Sequence, residues 1–258
     1  MSRFHRLRIA LKISGILGLL RFLIARSFGQ SNFIRPASTV DIRRAGLDFS
    51  HDVTDFVATL LGDSKDKLTE EIMSEAMQVN SMIESRAKES KNAFPENWNS
   101  EEQLRVTLYL LVRILKPALV VETGTANGSS AAAVCAGMSA NNFGALVSVD
   151  IKDSKAKLVA ENHRGFLHLR KTNGTEKELR EICKVAATKW SGVKLFLHDS
   201  DHSYFGQYSD YKIAADLGFD LILSDDIDAS LAFADFAGKD GKALFDTRKI
   251  IGGMNSSI

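Results

Sequence analysis

The sequence predicts an α/β protein with a Rossmann-like, doubly wound and mostly parallel sheet, preceded by an N-terminal helical extension. From Lys116 onward, short apolar or β-branched runs alternate with helical segments, as in parallel sheets covered on both faces. The first run ends in a glycine-containing turn, Glu122-Thr-Gly-Thr-Ala-Asn-Gly128. With 258 residues, 45% of them hydrophobic and 25% charged, the chain is long and apolar enough to bury a full core.

The alternation assigns the elements in order. Seven strands are predicted, at Ala118–Glu122, Ala145–Asp150, Phe166–Arg170, Val193–His198, Leu221–Ser224, Ala243–Thr247 and Lys249–Met254. Helices are predicted between them, at Ser129–Met138, Ser154–His163, about Thr175–Lys189 and about Tyr204–Leu217. The last two strands follow each other closely, which favours a C-terminal antiparallel hairpin.

Two segments precede this domain, which is predicted to span residues 96–258. Residues 1–40 form a basic arm with seven cationic residues and no acid, so the arm carries +7 and the rest of a chain of net charge +1 carries −6. Residues 41–95 have apolar positions at helical spacing and are predicted to be a helical preface. Ser100, followed by Glu101 and Glu102, is expected to cap a helix that runs through Leu115.

The arm has an apolar stripe beside its basic positions, typical of amphipathic helices. Such a helix could lie on an anionic membrane surface through residues 1–30. It could equally pack on its own domain or on a second subunit, and a homo-oligomer is expected. The sequence leaves these alternatives open.

Composition excludes several classes of protein. A net charge of +1 gives no reason to expect a nucleic-acid partner. No apolar run reaches the ~18 to 20 residues that span a bilayer, and the arginines that persist through Arg26 disfavour a signal peptide. Cys135 and Cys183 form no CxxC pair and are expected to be half-buried thiols in a reducing compartment. A cytoplasmic protein is therefore predicted, with membrane contact through the arm as the alternative.

The glycine-containing turn is the predicted ligand site, because ligands of open α/β sheets bind beyond the carboxyl ends of the strands. Gly124 is expected to remove a Cβ that would strike the ligand, and Gly128 to permit close packing where the next helix begins. The dinucleotide pattern G-x-G-x-x-G is missing, which disfavours a nicotinamide dehydrogenase. Glu122 would repel a diphosphate, but it suits the ammonium group of a methionine moiety. Asp150, 26 residues after Gly124, is placed to bind the two hydroxyls of a ribose.

On these residues the sequence resembles the class I S-adenosylmethionine-dependent methyltransferases, specifically the cephalosporin-hydroxylase-like and macrocin-type O-methyltransferase branch. The resemblance covers roughly residues 92–254. It implies that the cofactor S-adenosylmethionine is bound by acids and by residues of the turn, namely Glu122, Gly124, Thr125, Gly128, Ser129, Asp150 and Asp199. Ala126 is a departure, because many members have a glycine there.

A second cluster of acids is predicted where two later strands end. Asp199, Asp201, Asp225 and Asp226 should gather on one rim of the sheet, where crowded carboxylates repel unless a proton or cation neutralises them. Oxygen ligands of this kind suit Mg²⁺. Resemblance to metal-dependent O-methyltransferases of the catechol type implies Asp199, Asp225 and Asp226 as metal ligands, with the cation on the acceptor oxygen. The alternative is a solvated rim whose aspartates cap the following helices.

His202 is the candidate general base. It follows Asp199 by three residues, where catechol-type relatives carry a catalytic lysine, and imidazole titrates near neutrality. The alternative is a histidine that only orders the loop. His198, inside the strand end, is expected to be structural. Asp201 is expected either to orient His202 or to serve as an alternative metal ligand.

The predicted function is therefore methyl transfer from S-adenosylmethionine to a hydroxyl of a small molecule, such as a sugar or a secondary metabolite, assisted by a divalent metal. The alternative is a non-catalytic scaffold of the same fold that docks on a membrane or a partner through its basic arm. Acceptor identity depends on loops and on the helical preface, which the motifs do not specify.

Overall fold

In the computed structural model, which describes residues 70–90, 94–227 and 229–239, five parallel strands form one sheet. They are β1 Leu119–Thr123, β2 Ala145–Asp150, β3 Leu167–Lys171, β4 Lys194–His198 and β5 Leu221–Ser224, in the spatial order β3-β2-β1-β4-β5. This confirms the predicted Rossmann-like parallel sheet. The arm and the two C-terminal runs lie outside the described residues, so the seven-strand count and the hairpin stay predictions.

Helices cover both faces of the sheet. They are α1 Glu70–Glu89, α2 Glu102–Leu115, α3 Ser129–Asn141, α4 Glu176–Lys189, α5 Tyr204–Asp216 and α6 Ala232–Lys239, with short 3-10 helices at Glu96–Trp98 and Glu161–Phe166. The predicted elements at these places are confirmed to within a few residues, except for one helix.

Alternation along the strands divides the core into two layers. Val120, Leu146 and Leu195 pack against α1, α2 and α3. Their neighbours Val121 and Val147 point the other way and pack against α4 and α5. All five residues of β1 are buried, as expected for a central strand of a sheet covered on both faces. The two free cysteines are buried, one in each layer.

The strand order reverses between β1 and β4. The chain leaves β1 toward β2 and β3 on one side, then returns through α4 to β4 on the other side. Loops that leave adjacent strands in opposite directions open a crevice at their carboxyl ends, which is where ligands of such folds bind. The glycine-containing turn follows β1 at this position.

The predicted helix at Ser154–His163 does not form, and that prediction was wrong. Ala156 has a positive φ angle of 44°, which breaks a right-handed helix at that residue. The amide of Leu158 donates to the carbonyl of Asn127 (3.1 Å) rather than to a carbonyl four residues earlier. The segment therefore follows an irregular path along the glycine-containing turn, and only the 3-10 helix at Glu161–Phe166 follows.

Arg105 joins α1, α2 and the segment before α2. Its buried guanidinium donates to Asn80 Oδ1 (2.7 Å), to Glu84 Oε1 (2.9 Å) and to the carbonyl of Ser100. Ser100 was predicted to cap α2, but the N-cap residue is Glu101. The Ser100 hydroxyl instead donates to Asp199 Oδ2 (3.3 Å), so the position that the pattern assigned to capping belongs to the site.

In the part of the chain that the structure describes, no helix is both long enough and apolar enough to cross a membrane.

Arg105→Met should lower the free energy of unfolding by about 2 kcal/mol, because it leaves buried hydrogen-bond acceptors without a donor. Urea denaturation measures the change. Arg180→Met is the matched control, since Arg180 makes more exposed pairs with Glu176 and Asp216 and should cost less than about 1 kcal/mol. Equal losses in the two variants would contradict the structural role of Arg105.

Candidate functional site

The glycine-containing turn runs from β1 into α3, and both of its glycines have positive φ angles, 92° at Gly124 and 87° at Gly128. A Cβ at Gly124 would overlap the backbone carbonyl of Asp199. The sequence-based reason for Gly124 was therefore wrong, because the group that needs the space is the protein backbone after β4. A Cβ at Gly128 would lie 2.8 Å from the Cα of Ala156, so the close packing predicted there is confirmed, against the loop after β2.

Ala126 also has a positive φ angle, 42°. A residue with a side chain pays about 1–2 kcal/mol for this conformation. Two hydrogen bonds hold the residue there: its amide donates to Asp150 Oδ2 (3.0 Å), and its carbonyl accepts from the Ser154 hydroxyl (2.6 Å). The turn thus follows the left-handed path that a glycine would take, although this sequence has alanine.

Asp150 ends β2 beside the turn. Besides the Ala126 amide, its carboxylate accepts the amide of Lys152 through Oδ1 (2.8 Å). Each carboxylate oxygen has capacity for a second hydrogen bond. The residue thus fixes the turn and keeps acceptor capacity for a ligand.

Glu122 is fully buried beneath the turn. Its two carboxylate oxygens accept hydrogen bonds from the hydroxyls of Ser130 and Ser148. Burial raises the pKa of Glu122 to about 7, and the two serine bonds only partly offset this rise. The carboxyl group of Glu122 links β1, β2 and α3 by hydrogen bonds. Because it is fully buried, it can act on a ligand only through its charge.

Thr125 and Ser129 are also buried. The Thr125 hydroxyl lies 2.6 Å from the Ser148 hydroxyl, and the Ser129 hydroxyl donates to the carbonyl of Ser100 (3.4 Å). These side chains therefore bond within the protein, and what the two residues offer a ligand is their backbone.

Residues 94–100, which we call the entrance segment, lie over the turn. Asn127 holds this segment: its side chain accepts from the Phe94 amide (3.1 Å) and donates to the Phe94 carbonyl (3.2 Å) and to Asn99 Oδ1 (3.0 Å). The Lys152 ammonium lies 4.6 Å from the ring centre of Trp98, a residue whose side chain remains half exposed. The entrance segment, which precedes the first strand of the sheet, thus forms one side of the site.

Asp199 and Asp225 form a partly buried acidic pair at the ends of β4 and β5. Burial raises the pKa of Asp199 well above its usual range, and the charges of Asp225 and Glu122 raise it further. Burial also raises the pKa of Asp225, to about 6, and a hydrogen bond with Asp199 offsets part of that rise. Such a pair binds a proton or a cation more strongly than a solvated carboxylate does.

Asp226 does not complete the predicted set of three metal ligands. Its backbone has a φ angle of 47°, its side chain is mostly exposed, and its Oδ2 lies 3.6 Å from Nε2 of His202. Within the described residues, no group of three or more His, Cys, Asp or Glu side chains is arranged to hold a metal ion. The assignment of Asp199, Asp225 and Asp226 as metal ligands stays a prediction that this geometry does not support.

His202 lies on the rim between β4 and α5. Burial lowers its pKa, while Asp226 and Asp201 act in the opposite direction. A histidine with a lowered pKa is uncharged at neutral pH and has a lone pair to accept a proton. Its position and charge state thus suit the predicted general base.

The structure distinguishes between the roles predicted for Asp201 and His198. Asp201 accepts from both the amide and the hydroxyl of Ser203 (3.1 and 3.0 Å), and Ser203 in turn caps α5. Asp201 therefore orders the start of α5, with no hydrogen bond to His202. His198 is fully buried, with Nδ1 2.8 Å from Asp210 Oδ2, in agreement with the structural role expected for it.

Several residues of the site had no signal in the sequence. They hold other site residues by hydrogen bonds and belong to elements distant along the chain: Ser100, Thr123, Asn127, Ser130, Ser148 and Asp210. Serine, threonine and asparagine are common in turns and at helix starts, so their types alone indicate nothing. Of these, only Ser130 could have been found, because it is the second residue of the helix that directly follows the glycine-containing turn.

Part of the chain is similar to a known protein family. Residues 121–217 match the family model described as a methyltransferase domain. This stretch runs from β1 to the end of α5 and includes the turn, Asp150, Asp199 and His202. The match supports a methyltransferase domain within these residues. No curated protein matches the chain.

Glu122→Gln should change how stability depends on pH. Because the folded-state pKa of Glu122 is raised from 4.5 to about 7, its contribution to stability is fully present below pH 4.5 and is lost as the pH rises through 7. Relative to the variant, the wild-type protein should therefore lose about 3 kcal/mol of unfolding free energy between pH 4.5 and 8. Urea denaturation at several pH values measures this difference, and parallel curves would contradict the assignment.

Proposed function

We propose that this chain transfers a methyl group from S-adenosylmethionine to a hydroxyl of a small molecule. One observation carries the proposal: within the methyltransferase domain, the glycine-containing turn lies where the strand order reverses, between the carboxylates of Asp150 and Asp199. A backbone turn flanked by acids suits a cationic nucleoside and repels a diphosphate.

The charges around the turn favour such a ligand. S-adenosylmethionine, when bound, supplies a methyl group on a positively charged sulfonium. The charges of Asp225 and Glu122 raise the pKa of Asp199 beyond the rise that its burial causes, and a nearby cation would relieve that repulsion. Asp150 retains acceptor capacity for the ribose hydroxyls. The residues present therefore fit the proposed cofactor.

His202 is proposed to remove the proton of the acceptor hydroxyl. It stands on the rim beside the acidic pair, and it is uncharged at neutral pH because burial lowers its pKa. Its Nε2 lies toward the more exposed Asp226, so a hydroxyl can approach from the solvent side. The proposed acceptor is a small molecule such as a sugar or a secondary metabolite.

A divalent cation is the part of the sequence-based expectation that the geometry supports least. Only Asp199 and Asp225 lie together, while Asp226 lies toward His202, so we assign no step to a metal. Methyl transfer measured with Mg²⁺ and with EDTA tests this point separately. Turnover that falls with EDTA and returns with Mg²⁺ would support a metal site. Unchanged turnover would reject it.

Asp150→Asn should weaken S-adenosylmethionine binding about tenfold, which corresponds to about 1.4 kcal/mol for the loss of a charged acceptor. Isothermal titration calorimetry measures the affinity. Asp153→Asn is the matched control, because that nearby acid is solvent-exposed and pairs with Lys155. No heat from the wild-type protein would reject the proposed cofactor and favour a non-catalytic scaffold.

His202→Gln should lower turnover by about 10²- to 10⁴-fold, the range for loss of a general base, while cofactor affinity stays the same. A screen of hydroxylated acceptors with radiolabelled methyl groups first identifies a substrate, and the variant is then compared on it. His168→Gln is the control, since His168 lies on β3 and packs against Trp190. Full activity of the His202 variant would reject its role as base.

A further inference from the structure

A buried polar network lies behind His202. His198 Nδ1 is 2.8 Å from Asp210 Oδ2, and the same carboxylate oxygen accepts the Thr123 hydroxyl (2.9 Å). An ionised carboxylate only accepts hydrogen bonds, so the His198 ring carries a proton on Nδ1, the nitrogen that faces Asp210. When the ring has no second proton, Nε2 of His198 is a hydrogen-bond acceptor.

Two buried ring nitrogens in this region have no partner. They are Nε2 of His198 and Nδ1 of His202, and the two rings lie 5.5 Å apart, nearly perpendicular. Buried polar atoms in proteins are nearly always hydrogen-bonded. Tyr211 also contacts the His198 ring, but its hydroxyl bonds to Ser224 (2.6 Å). The available hydrogen-bond partner of Nε2 of His198 is thus the His202 ring, and that of Nδ1 of His202 is the His198 ring.

We propose that His198 and Asp210 are positioning residues that set the tautomer of His202. Nε2 of His198 accepts a hydrogen bond from Nδ1–H of His202, which leaves the lone pair of His202 on Nε2. A small rotation of either ring closes this bond, since catalytic hydrogen bonds are often long before substrate binds. The inference rests on the proposed role of His202 as base, because only the Nε2 lone pair is directed toward the rim.

Two groups compete for the proton of His202. Asp226 favours a proton on Nε2, whereas His198 favours one on Nδ1. The contact with Asp226 is 3.6 Å long and its side chain is 59% exposed, so that interaction is longer than a hydrogen bond and screened by solvent. His198 is fully buried, where a ring nitrogen without a hydrogen bond is unfavourable. The interaction with His198 should therefore determine the tautomer of His202, with the proton on Nδ1.

The tautomer can be observed directly by ¹⁵N NMR of the six ring-labelled histidines, with His202 assigned by the signal lost in His202→Gln. In the wild-type protein, Nδ1 of His202 should be protonated and Nε2 should not. The opposite pattern would overturn the proposal without any variant having to fold.

Substitutions at His198 give a second test. His198→Leu removes the acceptor, so His202 should shift to the Nε2–H tautomer and kcat should fall at least tenfold, with KM for S-adenosylmethionine unchanged. His198→Gln places an amide oxygen near the former Nε2 and should retain the wild-type tautomer and most of the turnover. Ser209→Ala is the control, because Ser209 precedes Asp210 on α5 and its hydroxyl is buried without a partner. It should change neither quantity.

The outcomes separate this inference from the proposed function. A His202 tautomer that is the same in the Leu variant as in the wild type would overturn the positioning role, whatever the turnover. If the tautomer shifts as expected but His202→Gln keeps full activity, the base assignment fails while the hydrogen bond between the two histidines stands.

Discussion

The close approach of β1 and β4 at their carboxyl ends is the constraint on which the site depends. The amide of Asp199 donates to the carbonyl of Thr123 (3.0 Å), and the amide of Gly124 donates to the carbonyl of Val149 (2.8 Å). These bonds continue the sheet one residue beyond its strands. The carbonyl of Asp199 then occupies the space that a side chain at position 124 would need. Since the turn and the acidic pair share this contact, neither can shift without the other.

This packing gathers negative charge in a place that water reaches only in part. Glu122 is fully buried, Asp199 and Asp225 are partly buried, and the protein meets their need for hydrogen bonds only in part, through Ser130, Ser148 and Ser100. The raised pKa values of all three acids report an unfavourable arrangement in the free protein. Proteins retain such arrangements mainly at functional sites. A cationic ligand would relieve the repulsion between the carboxylates and would therefore bind more tightly.

Much of the fold could be predicted from the sequence because the strands are short apolar runs bounded by clear turn residues. β2 and β5, for example, have the predicted bounds. The failures have a common cause. Residues 154–163 contain apolar side chains in numbers that favour a helix, yet their burial against the turn overrides local preference. Ser100 looks like a helix cap, but a carboxylate 99 positions away takes its hydroxyl.

The site was predictable in its acids and glycines but not in what holds them. Asp150, Asp199 and His202 follow strands or turns, so their positions are set by the topology of the sheet. The partners of these residues, such as Asn127 and Asp210, come from elements whose packing no local pattern specifies. The orientation of Asp226, which keeps it out of the predicted metal set, depends on a positive φ angle that an aspartate seldom adopts and that the sequence gives no reason to expect.

The most direct test of this account is a crystal structure of the protein with S-adenosylhomocysteine. The account predicts the ligand across the carboxyl ends of β1 and β2, with its ribose hydroxyls on the carboxylate of Asp150 and its sulfur on the side of Asp199. A ligand bound in another cleft, with the turn around Gly124 unchanged and open to solvent, would contradict it.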